Sequence, residues 1–177
     1  MIKCIACVDK NLALGRTNKE TGKAELLFNI PADMAHFKAE TTGKMCIFGY
    51  TTYQSLKYRP LKDRMNVVLW NEATSLTSVP GAITFSNFGD LLRFAKTLST
   101  EYMIFVCGGA SLYKQFITYC DELDLTVVDE TVSDADAFFP DPKENGFTLK
   151  ESTPFQKEDG PKGTNGYSIS KQTWVRL

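Results

Sequence analysis

Histidine is nearly missing from this chain. His36 stands alone among 177 residues, which leaves histidine-ligated zinc or a Ser-His-Asp triad with little support. Excess charge is missing too. The formal net charge is -1 with both signs interspersed, whereas a nucleic-acid-binding protein usually shows a basic stripe or a strongly basic pI, so nucleic acid is not expected as a partner. The first apolar stretch turns polar at Asp9, Lys10 and Asn11. It is too short for a membrane span or a secretory signal, and the expectation is a cytoplasmic protein with no membrane partner. Five cysteines are an odd number, and Cys4, Cys7, Cys46, Cys107 and Cys120 mostly lie inside apolar runs, where a free thiol packs as a small hydrophobe. Cys4 and Cys7 are three apart. On a strand they point to opposite faces and cannot share a metal. No repeat, linker or low-complexity segment divides residues 1–177, which read as a single domain.

What is present is core material. The chain is 43% hydrophobic and 12% aromatic, and a domain of this size buries roughly 70% of its unfolded surface. Short apolar runs alternate with helical patterns, the signature of an α/β fold with a mostly parallel sheet. Strands are expected over residues 2–8, 45–48, 66–69, 83–85, 103–107 and 123–132, with a closing antiparallel hairpin over 147–155 and 167–175. Helices are expected over 31–41, 52–56 and 90–98, the last with Leu91, Ala95 and Leu98 inward, and after Gly109 with Leu112, Phe116, Ile117 and Cys120 inward. Residues 9–25 read as a long polar loop turning at Gly15 and Gly22.

Three places carry chemistry. Asp33 follows Pro31 at a helix start, with Met34 and Phe37 three apart on one apolar face. Either it is a solvated first-turn acid complementing the helix dipole, or it is a carboxylate held against apolar surface for a polar ligand. Two strand-to-helix junctions carry glycine, at Gly49 and at Gly108 with Gly109. They merely permit tight turns, or they present backbone N–H groups at the carboxyl edge of a parallel sheet, where nucleotide ligands bind. Neither matches G-x-G-x-x-G. Arg64 lies between a turn and a strand, either as a solvated cation or as a fork for a ligand carboxylate.

The ordered set of motifs is more specific than any one of them. Ile5-Ala6-Cys7-Val8-Asp9, Leu14-Gly15, Ile30-Pro31-Ala32-Asp33-Met34 with Phe37, Gly49 with Thr52, Arg59-Pro60-Leu61 with Arg64 and Asn66, Gly108-Gly109 with Tyr113, and Phe139-Pro140-Asp141 follow one another as in dihydrofolate reductase. The chain resembles that family from its first strand to at least Asp141. The resemblance implies a single-domain mixed sheet of about eight strands, mostly parallel and twisted, flanked by helices. It also implies reduction of dihydrofolate by hydride transfer from NADPH, in one-carbon metabolism, by a monomer that also binds folate and antifolates.

By resemblance Asp33 binds pterin N3 and the 2-amino group, Thr126 hydrogen-bonds Asp33, and Phe28 supplies an aromatic wall. Ile5, Ala6, Met34, Phe37, Leu56 and Cys107 match the pterin and aminobenzoyl pocket, and Arg64 matches the arginine for the α-carboxylate of the glutamate tail. The cofactor positions are Cys7, Leu14, Gly15, Gly49, Tyr50, Thr51, Thr52, Leu69, Trp70, Asn71, Gly108, Gly109, Ala110, Ser111, Leu112 and Tyr113, with a cis bond implied between Gly108 and Gly109. Three departures stand out. Phe28 replaces the usual tryptophan and lacks its indole N–H. The segment from Gly15 to Phe28, which corresponds to the family's lid, is longer than in compact bacterial members. Tyr50 replaces the usual arginine, and Trp70, Asn71 and Ser111 supply no cation for a 2'-phosphate. Alternatives are a same-fold reductase of riboflavin synthesis and a non-catalytic module retaining the fold.

Overall fold

A computed structural model describes residues 1–70, 78–155 and 163–176. Strands β1 (Ile2–Asp9), β2 (Ala13–Thr17) and β3 (Ala24–Leu26) precede helix α1 (Pro31–Thr41). Then come β4 (Met45–Gly49), α2 (Tyr50–Ser55), β5 (Met65–Leu69), β6 (Ile83–Phe85), α3 (Phe88–Leu98), β7 (Ile104–Val106) and α4 (Ala110–Phe116). A 3-10 turn over Ile117–Tyr119 leads to β8 (Glu122–Val128), β9 (Ala137–Phe138), β10 (Phe147–Pro154) and β11 (Ile169–Arg176). Hydrogen bonding orders eight strands as β10-β11-β8-β1-β7-β4-β5-β6, and three more as β3-β2-β9. Pairing is parallel from β1 through β7, β4 and β5 to β6, and antiparallel at β10–β11 and β11–β8. This is the mixed, mostly parallel sheet with a closing hairpin that the sequence pattern predicts.

The chain forms two compact units, one of residues 1–4 with 41–121 and one of residues 5–40 with 122–177. In the first, β4, β5 and β7 are near-continuous apolar runs. Cys46, Ile47, Phe48, Val67, Val68, Ile104, Phe105 and Val106 are all buried, as parallel strands covered on both faces require. The Asn87 side chain accepts the Asp90 N–H to cap α3, whose Leu91 and Ala95 face inward while Leu98 is half-buried. Leu112, Phe116, Ile117 and Cys120 are buried as their spacing predicts.

In the second unit a core of Ile30, Ala32, Val128 and Ile169 carries Cys7, Phe28, Phe155 and Tyr167 packed against it. Here several expectations need correction. Residues 9–25 are not one loop: β2 pairs antiparallel with both β3 and β9. Such short strands, with every β3 residue exposed, show no legible alternation, and their pairing is satisfied by one another. Met34 is 53% exposed and Phe37 half-buried, so α1 turns Ala32, not Met34, into the core. β8 stops at Val128, because beyond it the backbone bonds to the β1 end, with the Lys10 N–H on the Glu130 carbonyl and the Val132 N–H on the Asp9 carboxyl. In the first unit α2 begins at Tyr50 and ends at Ser55, leaving Leu56 extended. No helix among the described residues is long and apolar enough to cross a membrane.

Candidate active site

Asp33 sits in the first turn of α1, in the second unit. The turn is anchored where helix N–H groups would otherwise be orphaned: Ala32 donates to the Gly163 carbonyl at 2.9 Å and Met34 to the Ile30 carbonyl at 3.0 Å. Two side chains from the neighbouring strands meet the Asp33 carboxyl, the Thr126 hydroxyl from β8 and the Cys7 thiol from β1. Burial is the largest influence on the carboxyl and holds its pKa above the ordinary range; the Thr126 bond, attraction from His36 and the Cys7 bond work against it, and Asp124 works with it. Asp33 is half-buried and bonded by two side chains, so it is not a fully solvated first-turn acid. Cys7 is pushed far up by burial and by Asp33, so its thiol remains a donor. Phe28 walls this region, edge-on to Tyr167 with ring centroids 5.6 Å apart.

Ile5 and Ala6 are buried on β1, and Leu14 is buried on β2. Gly15 has a structural requirement of its own: a Cβ there would lie 2.7 Å from the Glu25 carbonyl oxygen across the β2–β3 pair. Asp9 is also buried, and its carboxylate accepts the N–H groups of Asn11, Ala13 and Val132 at 2.8–2.9 Å, which fixes the chain between β1 and β2. Sequence reasoning passed over Asp9 as the polar end of a strand. It also passed over the contact of His36 on α1 with Asp124 on β8, which joins two elements and is not legible from spacing within either.

The two glycine junctions come together in the first unit. The Gly49 N–H donates to the Gly108 carbonyl at 2.7 Å, and the Cys107 N–H to the Ile47 carbonyl at 2.8 Å. The Gly108–Gly109 bond is cis and Gly108 has φ +111°, a conformation that side chains avoid. A Cβ on Gly109 would come within 2.9 Å of the Thr52 hydroxyl oxygen. Neither α2 nor α4 has a side-chain cap at its glycine start, so bare backbone is what these junctions present. Thr51 and Ser111 are exposed, Tyr50, Thr52, Gly109 and Ala110 half-buried, while Leu112 and Tyr113 face the core. Tyr50 accepts from the Gln54 amide at 2.7 Å. Leu69 closes β5, and the Trp70 N–H bonds the Phe85 carbonyl at 2.9 Å. Asn71 lies outside the described residues.

Arg64 is held on two sides, donating from Nε to the Lys62 carbonyl at 3.0 Å and from Nη1 to the buried Thr41 hydroxyl at 3.2 Å. Asn66 secures its segment, accepting from the Leu61 N–H and donating to the Leu61 and Arg64 carbonyls at 2.8–3.0 Å. Beside it, a hydrogen bond with Cys107 lowers the Cys46 pKa despite burial, with Arg64 and Thr41 helping, and burial drives Cys107 up. Leu56 and Cys107 are half-buried.

A family profile described as dihydrofolate reductase matches residues 1–176. The chain belongs to the dihydrofolate reductase family. A dihydrofolate reductase of Buchnera aphidicola is 30% identical over 171 residues, covering 96% of this chain and 95% of that one. Those of Bacillus subtilis and Haemophilus influenzae are 31% and 33% identical, covering 90% and 77% of this chain and 87% and 76% of their own. Among solved structures, the Enterococcus faecalis dihydrofolate reductase complexed with NADP(H) and RAB-propyl superposes with a TM-score of 0.81 at 23% identity, over 99% of this chain and 96% of that one. That likeness is one of fold. Family and enzyme class agree with the motif reading: the chain is an oxidoreductase of the dihydrofolate reductase type.

Proposed function

We propose that Asp33 is the acid with which this enzyme reduces 7,8-dihydrofolate to 5,6,7,8-tetrahydrofolate, the remaining site residues taking the roles their motifs imply. The observation that carries this is the carboxyl itself, half-buried and accepting from a hydroxyl and a thiol that both donate to it. A carboxylate has about four lone-pair sites, so two donors leave it able to accept the paired N–H groups of a pterin. When bound, NADPH supplies the hydride.

The glycine junctions fit a dinucleotide. Side chains at Gly108 and Gly109 are excluded by backbone conformation and by the Thr52 hydroxyl, which leaves N–H groups able to approach phosphate closely. Gly49, Tyr50, Thr51, Thr52, Ala110 and Ser111 would hold the cofactor with them and Leu69 and Trp70 would border it, while Cys7, Leu14 and Gly15 of the second unit are assigned to the cofactor by their motifs alone. By their motifs Ile5, Ala6, Phe28, Met34 and Phe37 in the second unit, and Leu56 and Cys107 in the first, are assigned to the substrate, and Arg64, its guanidinium held by the Lys62 carbonyl and the Thr41 hydroxyl, to the glutamate carboxylate. Phe28 keeps the aromatic wall without an indole N–H, so proton delivery to pterin N5 does not pass through that side chain.

The same reading takes residues 1–177 as one catalytic domain working as a monomer in the cytosol, the compartment supported by cysteines none of which forms a disulfide. The test is NADPH oxidation followed spectrophotometrically with dihydrofolate, on wild type and Asp33→Asn. Turnover is expected in the first and a loss of a hundredfold or more in the second. Full activity in Asp33→Asn removes the acid from the mechanism, and folate binding without turnover in the wild type supports a non-catalytic module.

A further inference from the structure

Behind Asp33, α1 and β8 bring together two titratable side chains that the proposed reaction does not use. His36 lies one helical turn beyond Asp33, and Asp124 two strand residues before Thr126, so these spacings put them on the faces that carry the acid and its hydroxyl partner. The His36 Nε2 is 2.9 and 3.0 Å from the two Asp124 oxygens, and the side chains are only 10% and 6% exposed. Phe155 stands edge-on to the imidazole with centroids 6.2 Å apart, so the ring is fixed from two directions. Enclosing such a pair costs desolvation that two apolar residues would avoid, so stability alone is a weak reason for it.

Among the described residues, these groups face the pair and Asp33. Toward Asp33 come Cys7 from β1, Thr126 and Asp124 from β8 and His36 from α1. Around the pair, Glu40 on α1 brings a carboxyl oxygen within 4.8 Å of both partners, and Lys171 from β11 lies 3.9 Å from Glu40. We propose that His36 and Asp124 form a positioning pair for Asp33, clamping the first turns of α1 to β8 and setting the charge that the Asp33 carboxyl experiences. The inference rests on the dihydrofolate reading for the reaction it serves. A protonated imidazole offsets Asp124 at Asp33 and favours the carboxylate; a neutral one leaves Asp124 unopposed and favours the acid.

The test reads the Asp33 titration midpoint by carbon-13 NMR in the ligand-free protein, together with the pH profile of kcat/KM. His36→Gln keeps a donor toward Asp124 but carries no charge, and the Asp33 midpoint is expected to rise by about one pH unit, with the kinetic limb following. Adding Asp124→Asn in that background brings it back down. Where His36→Gln does not fold, Asp124→Asn alone is compared with wild type, and there the midpoint is expected to be lower. Midpoints unmoved in these comparisons, even with a lower Tm, overturn the proposal and reduce the pair to packing. Because the NMR midpoint needs no substrate, a wild type that leaves NADPH unoxidised overturns the dihydrofolate reading separately while the midpoints still decide the pair.

Discussion

Thr126 shows how much one hydroxyl controls. It is buried on β8 and is the strongest of the influences that lower the Asp33 pKa against the dominant effect of burial. Thr126→Val keeps the shape and removes the bond, so the Asp33 pKa rises further and the acidic limb of kcat/KM moves to higher pH. The expected loss in kcat/KM at neutral pH is roughly tenfold, the scale of one hydrogen bond to a charged group. An unmoved limb would mean the hydroxyl does not reach the acid in solution. Stability follows the opposite logic. Because burial raises the Asp33 pKa in the folded state, that state holds more protons than the unfolded chain above the ordinary carboxylate range, and stability falls as pH rises through the window up to the folded pKa. Asp33→Asn has no such window. It is expected to melt higher than wild type at pH 7, with the gap closing toward about pH 4, as a site residue maintained for activity at the expense of stability would. Calorimetry across pH checks the sign.

At the scale of elements, what the sequence pattern makes legible is what burial makes periodic. β4, β5 and β7 are apolar runs because both faces are covered, and α3 shows its Leu91 and Ala95 spacing because one face is. Their ends were less legible: β7 is Ile104–Val106 and α3 begins at Phe88, because the first and last residues of an element are set by hydrogen bonds and caps rather than by burial. The small sheet was not legible. β2, β3 and β9 are five, three and two residues long, and their stability lies in mutual pairing, which no local window contains. α1 misled in a different way: its apolar Met34 is exposed, and the site depends on polar residues that only meet across elements. Gly15 is the residue through which the small sheet can be tested. With a Cβ 2.7 Å from a backbone carbonyl that has no rotamer to adjust, Gly15→Ala forces β2 from β3, at a cost of about 1–3 kcal/mol. A denaturant midpoint equal to wild type would show that the pair relaxes freely.

At the scale of the whole molecule, charge decides a question that the fold leaves open. The chain carries 20 basic and 21 acidic residues, so no net positive field gathers a cofactor bearing an additional phosphate, and recognition of that phosphate has to be local. At the positions where the family usually recognises it, Tyr50 is turned to Gln54 and the other described positions are Trp70 and Ser111. None is cationic. An aromatic or hydroxyl group can stack on adenine or donate one hydrogen bond, but it does not supply the forked, charge-assisted contact that makes an arginine site selective. Discrimination between NADPH and NADH is therefore expected to be weak, with KM values within about tenfold, equivalent to roughly 1.4 kcal/mol. Tyr50→Arg restores a guanidinium beside the glycine junction and should lower KM for NADPH while leaving KM for NADH nearly unchanged. It should also make the NADPH value rise with salt, since an exposed charge contact is screened. A wild type that already prefers NADPH by several hundredfold would place a cation elsewhere in the chain at the 2'-phosphate, and a Tyr50→Arg variant that improves both cofactors equally would mean that position 50 contacts the part they share.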